Sequence, residues 1–128
     1  MDFTEGKLIG RDIKADFPAL VNGKGYDSGW AIDNYNKGVM NPAATLSSEA
    51  SGIKVDIMTT QPGVQIYTGN WLSGCPEGKC GKSYEDYEGV ALECQAFPDA
   101  PNKANFPSAV LRPGEEYKEV IKFKFSTL

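Results

Sequence analysis

The chain has 128 residues, of which 41% are hydrophobic and 23% are charged, a composition typical of a folded globular domain. Its formal net charge is −4, and no basic patch is interleaved with aromatic residues, which argues against nucleic-acid binding. The chain also lacks a long uninterrupted apolar run of the kind that spans a membrane. We therefore expect a single domain over residues 1–128 that contacts neither nucleic acid nor membrane.

The sequence contains no histidine, the residue that most often serves as a general acid or base and as a zinc ligand. Chemistry carried by these residues would therefore use carboxylates, lysine, tyrosine or cysteine. The three cysteines are not at a zinc-like spacing, and we predict neither a metal nor a cofactor. Cys75 and Cys80 could close a small loop in an oxidising compartment, whereas an odd number of cysteines favours a reducing one, hence the cytoplasm.

The predicted elements of the first half are short strands. Residues 1–25 are polar and irregular, with a helical turn beginning at 9–12, and a glycine-rich loop follows. Apolar residues recur with period 2 from 52 to 60, which predicts a half-buried strand. A Gln-Pro-Gly turn then separates this strand from one at 64–68, so the two could pair as a hairpin. Further strand candidates are 30–32 and 40–46.

The second half alternates long loops with strands. Residues 69–88 have the composition of a loop, and loops of this length are often functional. An apolar strand is predicted at 89–95, a Pro- and Asn-rich loop at 97–107, and a final strand at 116–125. Lysines on one face of that last strand are typical of a sheet edge. The pattern as a whole predicts an all-β antiparallel sandwich of about seven strands without a long helix.

Glu93 is the most conspicuous candidate for chemistry, because it interrupts the apolar run 89–95. Strand alternation places it on one face with Ala91 and Gln95. A partly buried carboxylate beside a small residue and an amide would be a good general base. From the periodicity alone, however, a solvent-facing strand glutamate is the simpler interpretation.

Other candidates also have an ordinary structural interpretation. Asp27 lies in a glycine-flanked loop, where aspartate commonly forms turns, although it could also accept hydrogen bonds from sugar hydroxyls. Gln65 can donate and accept at once, which suits a hydroxyl-rich ligand, but it could equally lie on an exposed strand face. Aromatic residues that could stack on a sugar ring, or belong to the core or its rim, are Trp30, Trp71 and Tyr84.

Several segments in order resemble the aldose 1-epimerase (galactose mutarotase) family. The stretch 59–70, TTQPGVQIYTGN, resembles the family segment that precedes the catalytic strand. The stretch 89–95, GVALECQ, followed by FPDAPN and FPS, is similar to the segment that contains the family's catalytic glutamate. The motifs LRPGEEY at 111–117 and KFKFS at 122–126 match as well, and so do DFT at 2–4 and GYD at 25–27.

The resemblance implies a function for each candidate. Glu93 would be the base that removes the proton from the anomeric hydroxyl of a hexose such as galactose or glucose. Asp27 and Gln65 would bind the sugar. The implied fold is the C-terminal portion of a galactose mutarotase-like supersandwich, and the implied reaction opens and recloses the pyranose ring without metal or cofactor.

The chain departs from the family pattern in two respects. Ser28 stands where the family usually has histidine, at a position that is not the catalytic acid. Family members are also much longer than this chain, and the histidines and arginine that complete their active site lie in the part that precedes this segment. We therefore expect a C-terminal fragment that is inactive by itself, of unknown oligomeric state. A non-catalytic carbohydrate-binding domain and a purely structural β-domain are the alternatives.

Overall fold

The computed structural model describes all 128 residues and consists mainly of β-strands. Its one α-helix, α1, is Pro18–Gly23, and short 3-10 turns lie at Ile9–Arg11 and Ala100–Asn102. The strands are β1 (Asp27–Ala31), β2 (Asn41–Ser48), β3 (Ile53–Thr59), β4 (Gly63–Tyr67), β5 (Ala91–Gln95) and β6 (Ile121–Thr127). They form two three-stranded sheets with the orders β1-β4-β5 and β2-β3-β6. The predicted all-β class is confirmed, with six strands in place of about seven.

The chain divides into two compact units. Unit 1 comprises residues 1–28 and 66–92, and unit 2 comprises residues 29–65 and 93–128. The expectation of a single domain over residues 1–128 remains a prediction. None of the helical segments has the length and apolar character needed to cross a bilayer.

The sheet β2-β3-β6 lies entirely in unit 2 and is antiparallel throughout. The period-2 prediction for β3 is confirmed, because Val55, Ile57 and Thr59 are buried while the residues between them are partly exposed. On β6, Phe125 pairs with Val55 and Phe123 pairs with Ile57. Strand β6 lies at the edge of this sheet, as its lysine-rich face predicted.

The predicted hairpin between β3 and β4 is wrong. Both edges of β3 are already occupied, by β2 and by β6, so β4 cannot pair with it. The Gln-Pro-Gly turn instead sends the chain into the other sheet, where Ile32 N donates to Pro62 O at 3.0 Å. A Cβ on Gly63 would lie 2.8 Å from the Phe97 ring and 3.1 Å from Trp30 O, so this close approach requires glycine.

The last strand begins later than predicted, at Ile121 rather than at residue 116. The preceding residues bond to threonine hydroxyls: Val120 N donates to Thr60 Oγ1 at 2.9 Å, and Thr59 Oγ1 donates to Val120 O at 3.0 Å. Thr60 also donates to the Glu119 carboxylate. Side chains therefore take part in the bonding just before β6, beside one backbone bond in which Thr60 N donates to Val120 O at 3.1 Å.

Helix α1 was not predicted, because six residues are too few for a helical period to be visible. Its signals are nonetheless present. Pro18 occupies the first turn, where proline is favoured, and Leu20 is the buried residue of the helix. Lys24 ends the helix in the left-handed conformation, with φ of 57°, and the chain then enters β1.

Candidate functional site

Glu93 lies on β5 in unit 2, on the same face as an amide pair. Gln95 is two residues further along the strand, so its side chain shares the face of Glu93. Gln95 Nε2 donates to Gln65 Oε1 at 3.5 Å, which joins β5 to the neighbouring strand β4. The structure therefore brings together the predicted base and the predicted sugar-contacting glutamine on one sheet face.

The Glu93 side chain is exposed, which agrees with the solvent-facing strand interpretation and not with a partly buried carboxylate. The opposite face of β5 is the buried one, where Cys94 is 8% exposed. The Glu93 side chain is therefore accessible to a ligand or to other polypeptide.

Gln65 faces a position without a side chain. A Cβ built on Gly29 of β1 would lie 3.7 Å from Gln65 Oε1, an ordinary van der Waals distance. A larger residue than glycine would therefore fit at position 29, and no steric clash with Gln65 requires the glycine. A side-chain amide carries both an acceptor oxygen and donor hydrogens, the two kinds of group that bind hydroxyls.

Asp27 belongs to unit 1, where it is the exposed first residue of β1. The segment before it is buried: Tyr26 is fully inaccessible and its ring packs edge-on against Phe3, with centroids 5.2 Å apart. Desolvation raises the pKa of the Tyr26 hydroxyl. A rigid buried residue thus fixes the backbone from which the Asp27 carboxylate projects.

Asn70 holds the approach to β1 in place, and sequence analysis missed this role. Its side chain is completely buried, and Nδ2 donates to Gly23 O at 2.8 Å and to Tyr26 O at 2.9 Å. Thr68 Oγ1 donates to Asn70 Oδ1 at 2.5 Å. A Cβ on Gly25 would lie 2.4 Å from the same oxygen, so glycine is required there. The only sequence signal is an asparagine at the end of the resemblance motif.

The predicted loop 69–88 contains no helix or strand, as expected, but it is well anchored to the end of α1. Lys24 Nζ lies 3.9 Å from the centroid of the Trp71 ring and 3.5 Å from Asp86 Oδ2. Asp86 Oδ1 also accepts a hydrogen bond of 2.9 Å from Ser73 N. The Tyr87 hydroxyl donates to Lys24 O. The loop therefore has a defined conformation.

The Asp86 carboxylate is stabilised in its charged form by these partners. The backbone N–H of Ser73 lowers its pKa most, and the Ser73 hydroxyl and the Lys24 ammonium lower it further. The group is thus held as an anion that ties the loop to α1.

All three cysteines are free thiols, and only Cys94 is buried. Burial raises the pKa of the Cys94 thiol. No cluster of three or more histidine, cysteine or acidic side chains is placed to hold a metal ion.

The sequence model of a known family matches almost the whole chain: aldose 1-epimerase, over residues 1–124. The chain therefore belongs to the aldose 1-epimerase family. It is 51% identical over 83 residues to the galactose mutarotase of Rattus norvegicus, a match that covers 65% of this chain and 24% of the relative. The corresponding human protein gives the same identity and coverage.

A bacterial relative extends the match along the chain. The aldose 1-epimerase of Escherichia coli is 34% identical over 126 residues, which covers 97% of this chain and 36% of that protein. Among solved structures, a GalM/aldose epimerase homologue from C. elegans superposes with a TM-score of 0.69 and 31% identity. That match covers 80% of this chain and 30% of the other. The chain thus spans about a quarter to a third of the length of these relatives.

Proposed function

We propose that this chain supplies the catalytic base and part of the sugar site of an aldose 1-epimerase that interconverts the α and β anomers of hexoses such as galactose and glucose. The observation that carries the proposal is the position of Glu93 on the sheet face that also bears the Gln65–Gln95 amide pair. A carboxylate beside amides that donate and accept is suited to a substrate made of hydroxyl groups. Family membership supports the same reaction.

In the proposed mechanism, Glu93 accepts the proton of the C1 hydroxyl while an acid protonates the ring oxygen. The C1–O5 bond breaks, and the electron pair of the C1 oxygen forms the carbonyl of the open-chain aldehyde. Rotation about C1–C2 presents the other carbonyl face, and the reverse proton transfers close the ring as the opposite anomer. Two positioned proton-transfer groups are sufficient, and no redox step occurs.

Asp27 and Gln65 have binding roles in this proposal. The Asp27 carboxylate accepts hydrogen bonds from sugar hydroxyls, and the Gln65 amide both donates to them and accepts from them. The backbone immediately before Asp27 is held by buried hydrogen bonds, so this backbone does not have to become ordered when a sugar binds. The acid at the ring oxygen is assigned to histidine-bearing polypeptide outside these residues, since the chain contains no histidine.

The proposed location is the cytoplasm. The three cysteines are all free, and two of them are exposed, which suits a reducing compartment. Fractionation of cells that express a tagged chain tests this: recovery with cytosolic markers supports it, and recovery in a secreted fraction contradicts it.

The first experiment measures mutarotation of α-D-galactose by polarimetry with the 128-residue chain alone. We expect the rate of buffer, because the acid is absent. A rate far above that of buffer would contradict the division of base and acid between this chain and other polypeptide.

The second experiment supplies the missing acid. The region of the E. coli aldose 1-epimerase that aligns with this chain is replaced by these residues, and the chimera is assayed by polarimetry. We expect activity that Glu93→Gln lowers by at least about 100-fold, the usual contribution of a general base. Glu49→Gln, an exposed glutamate in the turn after β2, serves as the matched control and should leave the rate unchanged. Circular dichroism confirms that each variant is folded.

A non-catalytic carbohydrate-binding domain is the second candidate, favoured by the exposure of Glu93 in this chain. The two functions predict different results in the chimera. A binding domain gives sugar affinity without Glu93-dependent turnover, whereas the epimerase gives both.

A further inference from the structure

Trp71 is an exposed aromatic residue in the anchored loop of unit 1, and the roles proposed above do not use it. It is 57% exposed, a large apolar area for a residue in a defined loop. A single exposed aromatic side chain is common, so its exposure alone indicates nothing. Its support by neighbouring residues is the informative feature.

The backbone and the ring of Trp71 are both held in place. The Trp71 N–H donates to the Tyr67 hydroxyl at 3.1 Å, and the preceding residue, Asn70, is fully buried. The Lys24 ammonium lies 3.9 Å from the ring centroid and so occupies one face of the indole. The ring is therefore oriented before any ligand arrives, which lowers the entropic cost of using it as a contact surface.

Trp71 directly follows a residue that is bonded to the segment before the proposed sugar-binding aspartate. Asn70 Nδ2 donates to Gly23 O, and a Cβ built on Gly23 would lie 3.8 Å from Asp27 Cβ. The same built atom would lie 3.9 Å from Asn70 Nδ2. Gly23 thus lies between Asp27 and Asn70, and Asn70 is the residue immediately before Trp71.

We infer that Trp71 is the stacking platform for the apolar C–H face of the hexopyranose, held in orientation by Lys24. This inference rests on the proposed function, since it assumes that the ligand is a sugar. A pyranose presents hydroxyl groups at its edge and C–H groups on its faces, so it needs both polar acceptors and a flat apolar surface. Asp27 provides the first kind of group and Trp71 the second.

The test uses the 128-residue chain and D-galactose as the probe. Binding is measured by titration in saturation-transfer difference NMR, which also reports which sugar protons contact the protein. For the unaltered chain we expect the strongest saturation on ring C–H protons of one face. Trp71→Ala should weaken the apparent affinity about fivefold and remove that pattern, because an aromatic contact is lost. Trp71→Phe retains a ring and should stay within about twofold.

Phe17→Ala is the matched control, since Phe17 is also an exposed aromatic residue of unit 1, at 47%. Its affinity and saturation pattern should equal those of the unaltered chain. Binding by Trp71→Ala with unchanged affinity and pattern would overturn the stacking role and leave the proposed function standing. If the unaltered chain binds no hexose, the role of Trp71 as a stacking platform in this chain fails, whereas the proposed function is tested separately by the Glu93-dependent turnover of the chimera.

Discussion

Replacing Asn70 with alanine removes the side chain that holds the approach to β1, and we expect this change to destabilise the fold substantially. Asn70 is fully buried, and its Nδ2 donates to two backbone carbonyl oxygens at 2.8 and 2.9 Å. Each such bond contributes about 1 kcal/mol net, and a buried group left without its partner costs about 1–3 kcal/mol more. Tyr26 O keeps its bond from Thr68 N at 3.1 Å, so the added penalty falls mainly on Gly23 O. The expected loss is about 2–4 kcal/mol.

Urea unfolding followed by far-ultraviolet circular dichroism measures this loss. The matched control is Asn102→Ala, because Asn102 is an exposed asparagine with one side-chain hydrogen bond to Asp99. That change should cost no more than about 0.5 kcal/mol. Asn70→Asp separates donor chemistry from size: the aspartate fills the same space but turns acceptors toward carbonyl oxygens, so it should be at least as destabilising as alanine.

A free energy of unfolding for Asn70→Ala within about 0.5 kcal/mol of the unaltered chain would refute this reasoning. It would mean that water or a rearranged Thr68 hydroxyl satisfies the same carbonyl groups. An Asn70→Asp variant as stable as the unaltered chain would likewise contradict the assignment of Nδ2 as the essential donor.

Three further predictions concern separate residues. Gly25→Ala should lower the free energy of unfolding in urea by about 2–4 kcal/mol, because φ is +151° and the added Cβ would meet Asn70. Gly10→Ala is the control, since a Cβ on Gly10 would have no atom within 4 Å. Equal losses of stability in the two variants would contradict this prediction. Cys94 should react with a thiol reagent much more slowly than the two exposed cysteines, because burial raises the pKa of its thiol; three equal rates would disprove this. The pKa of Asp86 is lower in the folded chain than its usual 3.8, so its stabilisation is present above that value and is lost as pH falls through the folded pKa. In the Asp86→Asn variant, the free energy of unfolding should therefore fall less steeply as the pH is lowered into the acid range. The same pH dependence as in the unaltered chain would contradict the stabilising role of the Asp86 carboxylate.

Local patterns predicted much of the fold. The alternation of β3, the loop after Gly69 and the edge character of β6 depend on side-chain period and turn residues, which are visible in the sequence. The partner of β3 was predicted wrongly because pairing is decided by which strands already occupy its edges. Helix α1 was missed because its stability comes from the burial of Leu20 and from its termini rather than from a repeated pattern.

The candidate site was predicted in part. The face shared by Glu93 and Gln95 follows from strand period, and its proximity to Gln65 follows once β4 and β5 are neighbours. The role of Asn70 could not be predicted, because it depends on carbonyl groups about 45 residues away in sequence. The exposure of Glu93 agrees with its simpler interpretation as a solvent-facing strand residue, although periodicity by itself indicates which residues share a face and not whether that face is covered.

The central claim is that Glu93 acts as the base in a sugar-epimerising site, and one comparison tests it most directly. The chimera with the E. coli aldose 1-epimerase is assayed for mutarotation of α-D-galactose by polarimetry, with Glu93 intact and with Glu93→Gln. We expect an active chimera whose rate falls by at least about 100-fold on this substitution, with the folded structure retained. A folded Glu93→Gln chimera that keeps the rate of its parent would contradict it.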